Sequence, residues 1–238
     1  MGERHLKGLF WRLGISLAAV IIPAVLLLRD IYSSFLFVFS IPIIWQIGIT
    51  GNSFRSLGLR RDNLGSSILS GIISGCFLGL VGGNILKFFG LTGYALSGFE
   101  KLQWSLGPFR AAFTLEKEAG YQLLTASGTP EGLWIYLAFS IFLVGLGEEI
   151  FWRGFIQRKI ANHIPIRTAI LLTAIIFSLT HFYIFLFLPF DAGILVLILI
   201  GIAGVFWGYM FERYHNIWSV AVSHGLTAFI IWKYYFFK

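Results

Sequence analysis

The stretch LWIYLAFSIFLVGL, residues 133–146, carries no charge, and GEEIFWRGF, residues 147–155, follows it without a break. Continuing one helix across both sets two carboxylates, Glu148 and Glu149, and the Arg153 guanidinium within or just under a hydrocarbon layer. An ionisable side chain costs roughly 2.5–3.5 kcal/mol at the centre of a membrane helix, so three together point to a function rather than to an accident.

Working outward, 57% of the 238 residues are hydrophobic and 12% charged, whereas soluble domains carry about 25% charged residues. The mean hydropathy is +0.81. The apolar segments are too long and too numerous for one water-surrounded core, so the reading is a single membrane domain over residues 1–238. It is all-α, a polytopic transmembrane helix bundle of about seven spans.

The spans fall at Leu13–Leu28, Ile31–Thr50, Leu64–Leu86, Leu133–Arg158, Thr168–Phe190, Gly193–Phe211 and Ile217–Trp232. Pro23 and Pro42 would kink the first two. The third is rich in glycine and serine, residues that let helices approach closely. Between spans three and four, Lys87 to Glu131 is mixed in character and reads as a connection with an interfacial or re-entrant amphipathic helix. Arg4, Lys7 and Arg12 ahead of the first apolar run imitate a secretory signal. No small-x-small cleavage pattern precedes Arg29 and further spans follow, so this run reads as a retained first helix.

The formal net charge is +7. The basic residues sit in short loops beside apolar spans and form no continuous stripe, so topology explains them and nucleic acid is not an expected partner. Arg4, Lys7 and Arg12, then Arg55, Arg60 and Arg61, then Arg158, Lys159 and Arg167 mark one side. By the positive-inside rule that side is cytoplasmic, which gives a multi-pass protein of the cell membrane with a cytoplasmic amino terminus. The single cysteine, Cys76, excludes a disulfide framework and a cysteine metal site.

Two histidines lie in later spans, His181 and His224. Measured from the cytoplasmic helix ends, Glu148 lies about 15 Å deep, His181 about 21 Å and His224 about 10 Å at helical rise. With helix tilt these depths can converge on a cytoplasm-facing cavity. Glu149 and Arg153, four residues apart, share a face and suit an intrahelical ion pair, while Glu148 projects about 100° around the helix. One carboxylate is then neutralised and its neighbour is left to act as a general base toward water. Either histidine can equally be a packing residue, His181 against Phe177 and His224 satisfied by Ser223 and Thr227. Glu148, His181 and His224 could furnish three zinc ligands with a fourth position open to water, or a base with polar groups around a water and no metal. The H-E-x-x-H, G-x-S-x-G and phosphate-loop patterns are absent.

Glu148-Glu149-x-x-x-Arg153, then Phe177-x-x-x-His181, then His224 in the last apolar span resembles the CPBP family of intramembrane proteases, also called the Abi or type II CAAX prenyl endopeptidase family. The resemblance covers about Leu133 to Lys238. It implies a protease hydrolysing a peptide bond of a membrane-associated substrate, prenylated or of bacteriocin type. Glu148 would activate water with His181, Glu149 and Arg153 would support the site, and His224 would contribute to the oxyanion environment. The family's last motif usually has Asn or another polar residue four places after the histidine. Here that place holds Ala228, with Thr227 as a nearby hydroxyl. Ala228 favours a second reading, a non-catalytic immunity or partner-binding protein of the same fold. A third, a transporter with a proton relay, predicts flux without proteolysis, and no interrupted half-helices support it.

Overall fold

The computed structural model describes residue 48 and residues 53–91, 130–186 and 188–236. The first span, almost all of the second and most of the mixed segment lie outside the described residues. Within them the protein is all-helical, without strands. Helix α1 is Leu64–Phe88. Helix α2 is one continuous run, Leu133–Ala161, that begins in the turns of Pro130–Phe139. Helix α3 is Ile166–Leu179, α4 is Phe190–Tyr214 and α5 is Ile217–Ile231, carried on by a π turn, Trp232–Phe236. Among the described residues α1, α2 and α4 are long and apolar enough to cross a membrane.

The small residues of α1 do what their spacing suggests. Ser67, Gly71, Gly75, Gly79 and Gly83 form its buried ridge, and a Cβ at Gly71 or Gly75 would press on the Ser219 or Ser223 carbonyl of α5. The two helices therefore meet backbone to backbone. Gly65, by contrast, faces open space.

Two π-helical stretches, Ser140–Gly147 and Ile150–Gln157, bracket Glu148 and Glu149 inside α2. Such wide turns are rare and often coincide with functional positions. Along the first of them α2 crosses α5 in direct backbone contact. A Cβ on Gly145 would collide with the Ala221 carbonyl, and one on Gly225 would meet the Ser140 carbonyl and Ile141 Cα. This crossing sets Glu149 opposite His224.

One expectation is corrected. Thr168–Phe190 is not a single span: α3 has 14 residues, about 21 Å at helical rise and short of the roughly 30 Å hydrocarbon thickness. The chain then makes a 3-10 turn, Phe182–Leu186, and Pro189 with extended ψ starts α4 at Phe190. Proline restricts its predecessor to extended geometry, and the Thr180 hydroxyl donates to Phe177 O at 2.7 Å within the last turn. His181 thus lies just past a helix end rather than in a helix interior.

The corner between α4 and α5 is clamped from outside. His215 adopts left-handed geometry (φ 47°). Asn216, fully buried, accepts from Trp218 N at 3.2 Å and donates to Arg60 O and Asp62 O at 3.2 and 2.9 Å. Ile217 N donates to Gly58 O at 2.8 Å, and Gly58 itself sits at φ 85°. This corner fixes the start of α5, which carries His224.

Gly145→Ala and Gly225→Ala force methyls onto rigid backbone and are expected to destabilise by about 1–3 kcal/mol, the usual cost of overpacking. Gly65→Ala, with space around it, should leave the midpoint unchanged or raised. Thermal melts of the purified variants in one detergent check both, and equal midpoints for all three would contradict the tight crossing.

Candidate active site

Glu149 of α2 is the node of the site and is fully buried. Its Oε1 accepts from Arg153 Nη1, one turn further along, at 2.7 Å. The same oxygen lies 2.8 Å from Nδ1 of His224 on α5. A carboxylate paired with arginine only accepts, so the His224 proton resides on Nδ1. Arg153, likewise fully buried, also donates through Nη2 to Gly204 O of α4 at 2.9 Å. The ion pair expected from the four-residue spacing is present, and it reaches further than expected: one carboxylate and one guanidinium join α2, α4 and α5.

The remaining histidine is brought in by an aromatic ring. Phe177 of α3 has the Arg153 guanidinium carbon 4.8 Å from its centroid, the His181 ring at 4.8 Å and the His224 ring edge-on at 5.9 Å. Trp152 packs on it at 5.6 Å. Nδ1 of His181 donates to Phe177 O at 2.9 Å, which leaves the lone pair of the neutral ring on Nε2. The 3-10 turn after α3 makes this possible, because the His181 amide bonds Ser178 O at 3.0 Å and folds the imidazole back over the helix end.

Glu148 precedes Glu149 and is 7% exposed. Among the described residues its side chain makes no hydrogen bond, whereas Glu149 Oε1 serves two donors. Adjacent carboxylates on one turn are therefore held in opposite ways.

The structure redistributes the polar groups around His224. Ser223 and Thr227 do not satisfy its ring. Ser223 Oγ accepts from Trp207 Nε1 at 3.0 Å, and Thr227 Oγ1 donates to Ser223 O at 2.8 Å, beside Gly75 of α1. The Thr227 hydroxyl is thus turned to the α1 contact and does not stand in for the polar group absent at Ala228. The partner that sequence reading missed is Trp207, whose ring stacks on His224 at 4.1 Å and 23°. Its signal was a period: Gly204, Trp207, Gly208 and Phe211 form the buried stripe of α4.

Among the described residues no group of three or more His, Cys, Asp or Glu side chains is arranged to hold a metal ion. The set Glu148, His181 and His224, admitted as zinc ligands by residue type, is not gathered as such a group. His224 Nδ1 is instead committed to Glu149.

Residues 130–230 match the family model described as Rce1-like, type II CAAX prenyl endopeptidase, which bears out the resemblance carried by the three motifs. Neither curated proteins nor solved structures give a match. The matched region spans α2 to α5 and contains Glu148, Glu149, Arg153, Phe177, His181, Trp207 and His224.

Arg153→Met should strand the Glu149 carboxylate and cost about 3–5 kcal/mol, the cost of breaking a buried pair. Because replacing both charges is far milder, the double variant Glu149→Gln/Arg153→Met should melt above Arg153→Met alone. A differential melt of the three proteins decides it, and an Arg153→Met midpoint equal to wild type would deny the pair its structural weight.

Proposed function

From the family match and this geometry, we propose that the chain is an intramembrane endopeptidase in which Glu148 is the general base toward water. The observation that supports it is the split between the two carboxylates. Glu149 Oε1 is committed to both Arg153 and His224 and Oε2 is shut in the interior without a partner among the described residues, while Glu148, buried beside it, has no side-chain hydrogen bond among the described residues and is available to a water and a substrate amide.

In the mechanism, Glu148 takes a proton from water as the oxygen attacks the scissile carbonyl carbon, with the Nε2 lone pair of His181 holding the water. The C–O bond forms and the carbonyl becomes an oxyanion. Collapse breaks the C–N bond, and the proton on Glu148 passes to the leaving amine. His224 meets the oxyanion only if Nε2 also carries a proton, because Nδ1–H is already committed to Glu149. That charge would lie between the Glu149 carboxylate and the face of Trp207. Ala228 supplies no second donor, and one missing donor of this kind costs about 10²- to 10³-fold in rate. No step is routed through a metal.

The substrate class is a polypeptide held at the membrane, and the description of the matched family puts a prenylated CAAX peptide first among those to try, with bacteriocin-type precursors next. The clustering of basic residues near the ends of α2 and α3 supports a site reached from the cytoplasm. A second reading rests on Ala228 and on Thr227 being turned away: a partner-binding or immunity protein that keeps the site and hydrolyses nothing.

On a fluorogenic farnesylated CAAX peptide, Glu148→Gln should lower the rate by about 10²- to 10⁴-fold, the contribution of a general base, with an unchanged melting midpoint. Retained turnover would end the assignment of Glu148. His181→Ala should slow cleavage comparably, and a rate within a few-fold of wild type returns His181 to packing. A wild-type protein inert toward farnesylated, unprenylated and bacteriocin-leader peptides would favour the partner-binding reading. Elemental analysis with a chelator series on the same peptide decides whether a metal ion joins the scheme.

A further inference from the structure

His224 is held along one edge by Glu149, yet a single hydrogen bond at Nδ1 leaves the ring able to swing about that bond. What stops it is Trp207. The indole lies against the imidazole at 4.1 Å and 23°, and the edge of Phe177 bounds the ring at 89°. Trp207 is itself pinned: it is buried in α4, and its Nε1–H donates to Ser223 Oγ at 3.0 Å.

Ser223 in turn lies 2.9 Å from Ser74 Oγ of α1, and Ser74 Oγ lies 2.6 Å from Ser70 O in its own helix. Each hydroxyl has one proton. With the Ser74 proton given to Ser70 O, the Ser223 proton goes to Ser74 Oγ, and Ser223 Oγ is left to accept from the indole. Every group in the run is then satisfied, as a buried polar run requires. The run leads from the backbone of α1, through α5, to a ring of α4 that faces His224.

We propose that Trp207, anchored by the Ser223–Ser74 hydroxyl pair, is a positioning residue that fixes the ring plane of His224 and so aims its Nε2 at the reacting carbonyl. Trp207 acts through His224, and the inference deepens the protease reading on which it rests. A ring free to rotate would keep its bond to Glu149 while sweeping Nε2 away from the carbonyl, so the loss should fall on the chemical step rather than on substrate binding.

The test compares Trp207→Leu, Trp207→Phe and Ser223→Ala on the farnesylated peptide. Trp207→Leu should lower kcat by about 10- to 100-fold, as for outer partners that orient a functional histidine, with KM within about twofold of wild type. Trp207→Phe, which keeps a stacking face and loses the N–H, should recover part of the rate. Ser223→Ala should slow the wild type but add little to Trp207→Phe, because the bond it removes is already gone. Should Trp207→Leu not fold, Trp207→Phe and Ser223→Ala carry the comparison.

An activity-independent readout is the ¹³C-edited spectrum of histidine-labelled protein in micelles. The resonance that vanishes in His224→Gln should lie upfield in wild type, under the indole ring current, move downfield in Trp207→Leu and stay in place in Glu148→Gln. A His224 signal that does not move in Trp207→Leu, or a kcat within about twofold of wild type, overturns the positioning role. If instead Glu148→Gln keeps turning over peptide while the ring shift is as described, the base assignment has failed and the positioning stands.

Discussion

A carboxylate with no exposed surface, sharing one oxygen between a guanidinium and an imidazole, is the constraint around which these helices are arranged. Glu149 and Arg153 are both fully buried, and removing such charges from water costs several kcal/mol per ion before their attraction is counted. The desolvation is offset by directed partners: Arg153 to Glu149 at 2.7 Å, Arg153 to Gly204 O at 2.9 Å and His224 to Glu149 at 2.8 Å. The faces of Phe177 and Trp207, 4.8 and 5.6 Å from the guanidinium carbon, add cation–π contact. Beyond α2 itself the partners come from three further helices, so the pair is stable only while α3, α4 and α5 hold their places around α2.

That requirement explains the backbone contacts. A carboxylate side chain is short, and His224 can reach it only if α5 lies against α2 with nothing between. Gly145 and Gly225 provide that approach, and the Ser140–Gly147 π stretch occupies the same segment of α2. On its other side α5 is pressed by the Gly71–Gly75–Gly79 ridge of α1. Helix α5 is thus wedged between two glycine-lined surfaces, and the Asn216 corner sets where it starts. Van der Waals packing of small residues, the main attraction between helices in lipid, is used here to hold one hydrogen bond at the right length.

The parts of this arrangement that depend on composition and short spacing were legible from residues alone. Charges inside an apolar run, the Glu149–Arg153 interval, the small-residue face of α1 and the order of the three motifs all carry local signals, and the helices and the ion pair agree with them. The parts that depend on where helices meet were not. Trp207 looked like one more apolar residue of a featureless span, since nothing local tells a stacking ring from a lipid-facing one. Ser223 and Thr227 neighbour His224 in sequence, but Ser223 projects about 100° around the helix, toward Trp207, and the Thr227 hydroxyl is taken by the Ser223 carbonyl. The break after Leu179 was overlooked because hydropathy runs on smoothly through 180–188, while the backbone is turned by Pro189 and hydroxyl bonds that hydropathy does not record.

The two adjacent glutamates show how one turn of helix can serve two ends. On the face toward His224 and Arg153, Glu149 binds both through Oε1, and its charge is what the ion pair needs, so a proton taken up there would weaken the pair with Arg153. Glu148, rotated by about 100°, is spared that pairing yet lies in the same low-dielectric surroundings, where an unpartnered polar group is costly. In the proposed reading a water or a substrate amide supplies Glu148 with the partner that the described residues do not. Under the proposed reading the same logic accounts for keeping Arg153 on Glu149 rather than between the two: a guanidinium shared by both would quench the proposed base. The chemistry proposed for Glu148 therefore depends as much on Arg153 and His224 being drawn to Oε1 of its neighbour as on Glu148 itself.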